Sequence, residues 1–165
     1  MKSLKAFVAE ASTCIDLIWA NAHRIFPMWH VIDNKGRNSI FPPPPCSKDQ
    51  AGVILRGLFR EKKIVRCLYI DEAWKLEMTG DETKARAEIA EYYRMHSSLE
   101  GYPDRVEIVT FQAEDLEEGM LGAERVISRG CSDAPVLREL KFIEGAVCEG
   151  RMVGMLDHGR GMTKQ

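Results

Sequence analysis

The stretch Ile64 to Leu76, IVRCLYIDEAWKL, constrains the fold more than any other part of this chain. Its centre, Cys67-Leu68-Tyr69-Ile70, is apolar at every position. Side chains alternate between the two faces of a strand, so a strand of this composition is apolar on both and belongs in the middle of a sheet. The rest of the chain must supply its neighbours and its cover. Residues 27–41 read as a hairpin: Met28 to Ile32 is β-rich, Asp33-Asn34-Lys35-Gly36 has turn chemistry, and Arg37 to Phe41 returns antiparallel. Pro42 to Pro45 ends that strand, because proline donates no ladder hydrogen bond. After Ile64–Leu76, residues Val106 to Ala113 alternate, Glu114 to Gly119 turns, and Glu124 to Ser128 forms a second strand. Val136 to Ile143 alternates again, Glu144-Gly145 turns, and Val147 opens a pair with Arg151 to Leu156.

Helices are marked as clearly. In residues 3–22, Leu4, Phe7, Val8, Ala11, Ile15 and Ile18 recur at three- and four-residue spacing behind a capping Ser3. Ser47-Lys48-Asp49-Gln50 is a capping box that opens a helix running to about Arg60. Residues 81–97 are helical by propensity but weakly amphipathic, with Asp81 as the expected cap; Gly101 to Asp104 is a turn. The sum is a single α+β domain over residues 1–165. A mainly antiparallel sheet of five to seven strands is expected, with two or three helices packed on one face. Residues 157–165 are expected to fray.

Composition bounds the function. The chain has 165 residues, net charge -2 and pI ≈ 6.1. A protein that coats nucleic acid needs a large cationic surplus, so nucleic acid is not the expected partner. Basic residues do outnumber acidic ones in residues 1–66, and the reverse holds from 67 onward. No apolar run approaches the roughly 18 residues of a membrane span. Five cysteines, at 14, 46, 67, 131 and 148, form no CxxC, and the periodic apolar positions of the first twenty residues lead us to expect an amphipathic helix and not a secretory leader. Free thiols in a reducing cytoplasm are expected.

Motifs that carry chemistry are missing. There is no GxxxxGK[ST], no strand-linked GxGxxG and no GxSxG. His23, His30, His96 and His158 stand in no metal-ligating spacing, and a site would need distant residues such as His30, Asp33 and one acid of the Asp71-Glu72 pair. No metal and no cofactor are expected. Cys46 precedes a helix N-terminus, where the dipole lowers a thiol pKa, but it also fits a plain residue ahead of the cap.

The most unusual local feature is Ile70-Asp71-Glu72-Ala73-Trp74, two adjacent carboxylates in an otherwise apolar strand. They must face opposite ways. Glu72 shares the alternation of Ile64, Leu68 and Ile70 and is expected to face inward, paired with an arginine from 105–129 such as Arg105 or Arg125. Trp74 should pack beside it.

The order of IDEAW, the turn Tyr102-Pro103-Asp104 opening a strand at Arg105-Val106-Glu107, the segment Arg125 to Arg129, and Gly150-Arg151-Met152-Val153-Gly154-Met155-Leu156 resembles small uncharacterised proteins encoded in bacterial and phage genomes, over residues 64–156. The resemblance implies a mobile-element setting and brings no catalytic residues. The expected function is a non-enzymatic protein-binding module with Trp74, Glu72 and Asp71 as contact residues. An inhibitor or adaptor acting on a host protein complex is one version of it. The alternative is a small enzyme of hydrolase type, its site assembled from non-local carboxylates and His30, with Glu72 and His30 as catalytic residues. A nucleic-acid factor using Arg56, Arg60, Lys62, Lys63 and Arg66 ranks last, because those cations also suit a helix C-terminus. The sequence leaves the oligomeric state open.

Overall fold

The computed structural model describes residues 2–76, 82–96, 101–103, 105–130, 134–143 and 154–156. The chain has the α+β fold. Its elements are α1 (Leu4–Ala22), β1 (Met28–Asp33), β2 (Asn38–Phe41), α2 (Lys48–Lys62), β3 (Ile64–Leu76), α3 (Glu82–His96), β4 (Arg105–Asp115), β5 (Gly119–Ser128), β6 (Val136–Leu137) and β7 (Lys141–Ile143). The strands form one antiparallel seven-stranded sheet in the order β2-β1-β3-β4-β5-β6, with β7 also on β5. β3 lies centrally, between β1 and β4. No described helix is long and apolar enough to cross a membrane.

Local signals set the helix ends. The Ser3 hydroxyl accepts from the Ala6 amide, and His23 closes α1 in the left-handed region at φ 49°. Ser47 and Gln50 form the reciprocal capping box, and Lys63 at φ 54° turns the chain from α2 straight into β3. The cap expected from Asp81 lies outside the described residues.

The helices do not share a face. Leu4, Phe7, Val8, Ala11 and Ile15 of α1 pack with Leu68, Ile70, Val109, Phe111 and Ala123. Ala51, Leu55 and Phe59 of α2 pack with Trp29, Val31, Cys67 and Tyr69. Even-numbered residues of β3 therefore look to α1 and odd-numbered ones to α2. The expectation of helices packed on one face is corrected, and the cause is β3 itself. With Cys67 and Tyr69 apolar on one side and Leu68 and Ile70 on the other, a single layer of helices would leave a full row of large side chains in water. Each would forfeit about 1.5–3 kcal/mol of burial. α3 belongs to neither core. None of its residues from 83 to 96 is buried, and it follows the end of β3 where that strand pairs with β4 alone.

Three strand expectations also change. β4 runs on to Asp115 and β5 begins at Gly119, so Glu114 is a strand residue and not part of the turn. The alternating run 136–143 is split into β6 and β7, joined by the Arg138 amide donating to the Val126 carbonyl. Residues 154–156 form no strand. They lie as a strap on the α2 face, where Met155 and Leu156 are buried and their amides donate to the Glu114 carboxylate at 2.8–3.1 Å. Residues 144–153 and 157–165 lie outside the described residues.

A buried ionic web ties α1 to the turn between β4 and β5. Arg66 is 2% exposed and donates to Asp115 Oδ2 at 2.6 Å, to the Lys2 carbonyl at 2.6 Å and to Glu118 Oε1 at 2.8 Å. The Glu118 carboxylate also accepts from the Leu4 amide at 2.9 Å, and so caps α1 from across the fold.

Thiol chemistry tests the core. Cys14 and Cys46 are exposed free thiols, whereas Cys67 is buried, and burial pushes its thiol well above the ordinary range. Thiol titration of the native protein is expected to label Cys14 and Cys46 promptly and Cys67 only on unfolding. Prompt labelling of Cys67 in the native parent, read as one more fast-reacting group than in native Cys67→Ser, would contradict this packing.

Candidate protein-binding cleft

α1 stops at Ala22, while β3, β4 and β5 continue beneath and beyond it. The sheet face that α1 would have covered is open there. The loop 24–27, on its way to β1, forms the wall. The result is a cleft of about 450 Å³ with Trp74, Arg105, Glu107, Ile127 and Arg129 as its floor and Arg24, Ile25, Phe26 and Pro27 as its side. Cross-strand register accounts for the floor. Trp74 pairs with Glu107, and Leu76 with Arg105, so these side chains project on the α1 face together.

Glu72 also borders this cleft and faces the α1 side, as the alternation of β3 predicts. Its partner is not an arginine. Glu72 Oε1 accepts from the Ile25 amide at 2.6 Å and so holds the wall loop to the floor. The expected arginines are engaged elsewhere. Arg125 reaches Asp16 of α1 at 2.6 Å, Arg129 pairs with Glu107 at 2.7 Å, and Arg105 lies over the Trp74 ring, 5.5 Å from its centroid. The physical cause is the helix end: the loop leaving α1 carries a backbone N–H that needs an acceptor, and Glu72 is within reach.

Asp71 points its carboxylate to the other face. It accepts from the Tyr69 hydroxyl at 3.0 Å and lies 3.5 Å from Lys48 Nζ. Burial first, and the Asp71 charge second, push the Tyr69 phenol upward, so it stays a proton donor to that carboxylate. These placements give an ordering of stability. Glu72→Ala orphans the Ile25 amide and is expected to cost about 1–3 kcal/mol, whereas Asp71→Asn keeps an acceptor for Tyr69 and is expected to cost under about 1. Thermal melts of the two variants check it; a larger loss in Asp71→Asn would reverse the assignment of faces.

His30 is on the α1 face but away from Glu72. It registers with Leu68, four residues back along β3, or about 13 Å at strand spacing. Its ring packs on Phe7 with centroids 4.5 Å apart. The structure therefore brings Glu72 and Trp74 together and leaves His30 and the Asp71 carboxylate outside. Burial lowers the His30 pKa, partly offset by a hydrogen bond with Asn38. The unfolded chain then binds the proton more readily than the folded one. His30 is expected to withdraw stability as pH falls from the unfolded value of 6.5 towards the lower folded one, and to contribute no slope above 6.5. Melts of the parent and of His30→Gln across pH 5–8 check it: the parent should lose stability relative to the variant as pH falls below 6.5, and a constant difference would contradict it. Among the described residues, no three His, Cys, Asp or Glu side chains converge as metal ligands would.

A scan against protein-family models, a search of curated proteins and a search of solved structures return no match. The cleft has to be read from its own chemistry. Phe26 is 58% exposed and Trp74 41%. A guanidinium lies over each ring: Arg24 stands 4.9 Å from the Phe26 centroid, as Arg105 does at 5.5 Å from that of Trp74. Sequence reasoning found Trp74 and missed Arg24 and Phe26. They sit in an irregular loop where periodicity is silent, and the only available signal was an arginine and a large aromatic residue just ahead of Pro27.

Proposed function

We propose that the chain is a protein-binding module that engages its partner through the cleft between loop 24–27 and the β3–β4–β5 floor. One observation carries this reading: two exposed aromatic rings, each under a guanidinium, border a single concavity. Large aromatic side chains and arginine are the residues that dominate protein-binding energy, and here two rings, each with its arginine, gather at one concavity. Glu72 holds the wall of the cleft through the Ile25 amide, so its contribution is to shape and not to contact. Inhibition of, or adaptor action on, a host complex from a mobile element is a narrower form of this reading, with a partner in the reducing cytoplasm where free thiols persist.

Affinity capture from a lysate, quantified by mass spectrometry and repeated with purified partner, tests it. Trp74→Ala and Phe26→Ala are each expected to weaken binding about thirtyfold or more, with unchanged circular dichroism. Leu17→Ala, on the outer face of α1 and 70% exposed, is expected to change nothing. Partner binding that survives both aromatic truncations refutes the proposal.

A further inference from the structure

We infer that the occupant of this cleft is an acidic peptide segment that presents carboxylates to Arg24 and Arg105 and a large apolar side chain to the slot between Phe26, Trp74 and Ile127. The inference rests on the binding reading above and names its partner's chemistry. The carboxylates of the lining are already engaged: Glu107 by Arg129 at 2.7 Å, Glu72 by the Ile25 amide at 2.6 Å, and Asp71 by the Tyr69 hydroxyl at 3.0 Å on the other face. The charge left to meet a ligand is cationic. Arg24 and Arg105 each lie over a ring, and among the described residues neither guanidinium has a carboxylate on its N–H fork. That fork matches a carboxylate bidentately. Stacking also holds the side chain in place before binding, so less rotamer freedom is lost when a carboxylate arrives. Between the two forks the lining is apolar, with Phe26, Pro27, Trp74 and Ile127 in about 450 Å³, room for one large side chain. A phosphodiester backbone fits less well. It carries a charge at every unit and calls for a continuous cationic surplus, whereas the six charged residues of this lining, Arg24, Arg105, Arg129, Asp71, Glu72 and Glu107, sum to zero.

Trp74 is the natural probe, because Trp19 and Trp29 are 6% and 1% exposed. The full chain is titrated, following tryptophan emission, with a tryptophan-free synthetic peptide holding a central Leu-Phe between Asp and Glu residues. The same peptide with Lys for every acid and a short oligothymidylate serve as comparisons. The acidic peptide is expected to saturate, to weaken as salt rises, and to lose about tenfold in affinity in Arg24→Ala and in Arg105→Ala. Arg105→Lys should recover part of the loss, since it keeps the charge and drops the fork. Equal binding of the Lys peptide overturns the inference, and so does tighter binding of the oligonucleotide. Failure of the acidic peptide to bind, or sedimentation showing that the cleft is filled by a second copy of the chain, also overturns it. In either of those last cases a captured partner still lost with Trp74→Ala leaves the protein-binding reading standing, whereas unchanged capture by Trp74→Ala removes both.

Discussion

Arg66→Ala is expected to destabilise the fold by about 3–5 kcal/mol, because it strands the buried Asp115 carboxylate and loosens the start of α1. Asp115 is 3% exposed, and Glu118 would keep the Leu4 amide but lose the guanidinium that positions it. For a chain of this length the melting temperature should fall by roughly 10 °C. The double replacement Arg66→Met with Asp115→Leu should be much milder, since neither partner is then left charged and alone. A double variant as damaged as the single one would mean that the web matters for its hydrogen bonds to the backbone more than for its charges. The same web sets an acid limit. Burial alone would raise the Asp115 carboxyl, but the amides of Glu118 and Glu117 and the Arg66 guanidinium outweigh it and hold the group below its ordinary range. The stability it contributes is fully present above the unfolded value of 3.8 and is lost as pH falls through the lower folded value. Arg66→Met with Asp115→Leu should therefore flatten the melting curve below about pH 4.

Glu114→Ala is the second large effect, on the order of 3 kcal/mol, from the loss of charge-assisted bonds to the Met155 and Leu156 amides. The strap would have no other anchor of comparable strength in the described structure than the Gly154 carbonyl held by Arg56 at 3.0 Å. Glu114 registers with Cys67 across the β3–β4 pair, and Met155 packs in the same core. Release of the strap should therefore show as faster labelling of the Cys67 thiol as well as a lower melting temperature. Glu114→Gln keeps an acceptor and should fall between. Loss of stability with no change in Cys67 labelling would mean that the strap stays seated and the carboxylate acts elsewhere.

Both variants act through contacts that no local pattern announces. The Met155–Glu114 bond spans 41 residues of sequence and the Arg66–Asp115 bond 49. By contrast, the capping box at Ser47 and Gln50 closes within three residues, and β3 has the bounds that its composition predicts. The candidate site divides in the same way. Trp74 and Glu72 were legible because the alternation of β3 is a property of consecutive residues. The wall of Arg24 and Phe26 was not, because it depends on where a loop lands after α1 ends.

What the amino-acid sequence determined by itself is what short-range physics determines: three helices, the caps of the first two, a central strand apolar on both faces, and the opposite facing of Asp71 and Glu72. Hydrogen-bond capping and the two-residue period of a strand operate over a few residues, so the chain states them wherever they occur. The tertiary structure decided which face each helix covers, that Glu72 accepts a backbone amide 47 residues away instead of an arginine, and that α1 is too short to cover the sheet beneath Trp74. Those outcomes depend on which of several competing groups the fold places within bonding distance, and that is set by the register of strands and the length of helices acting together.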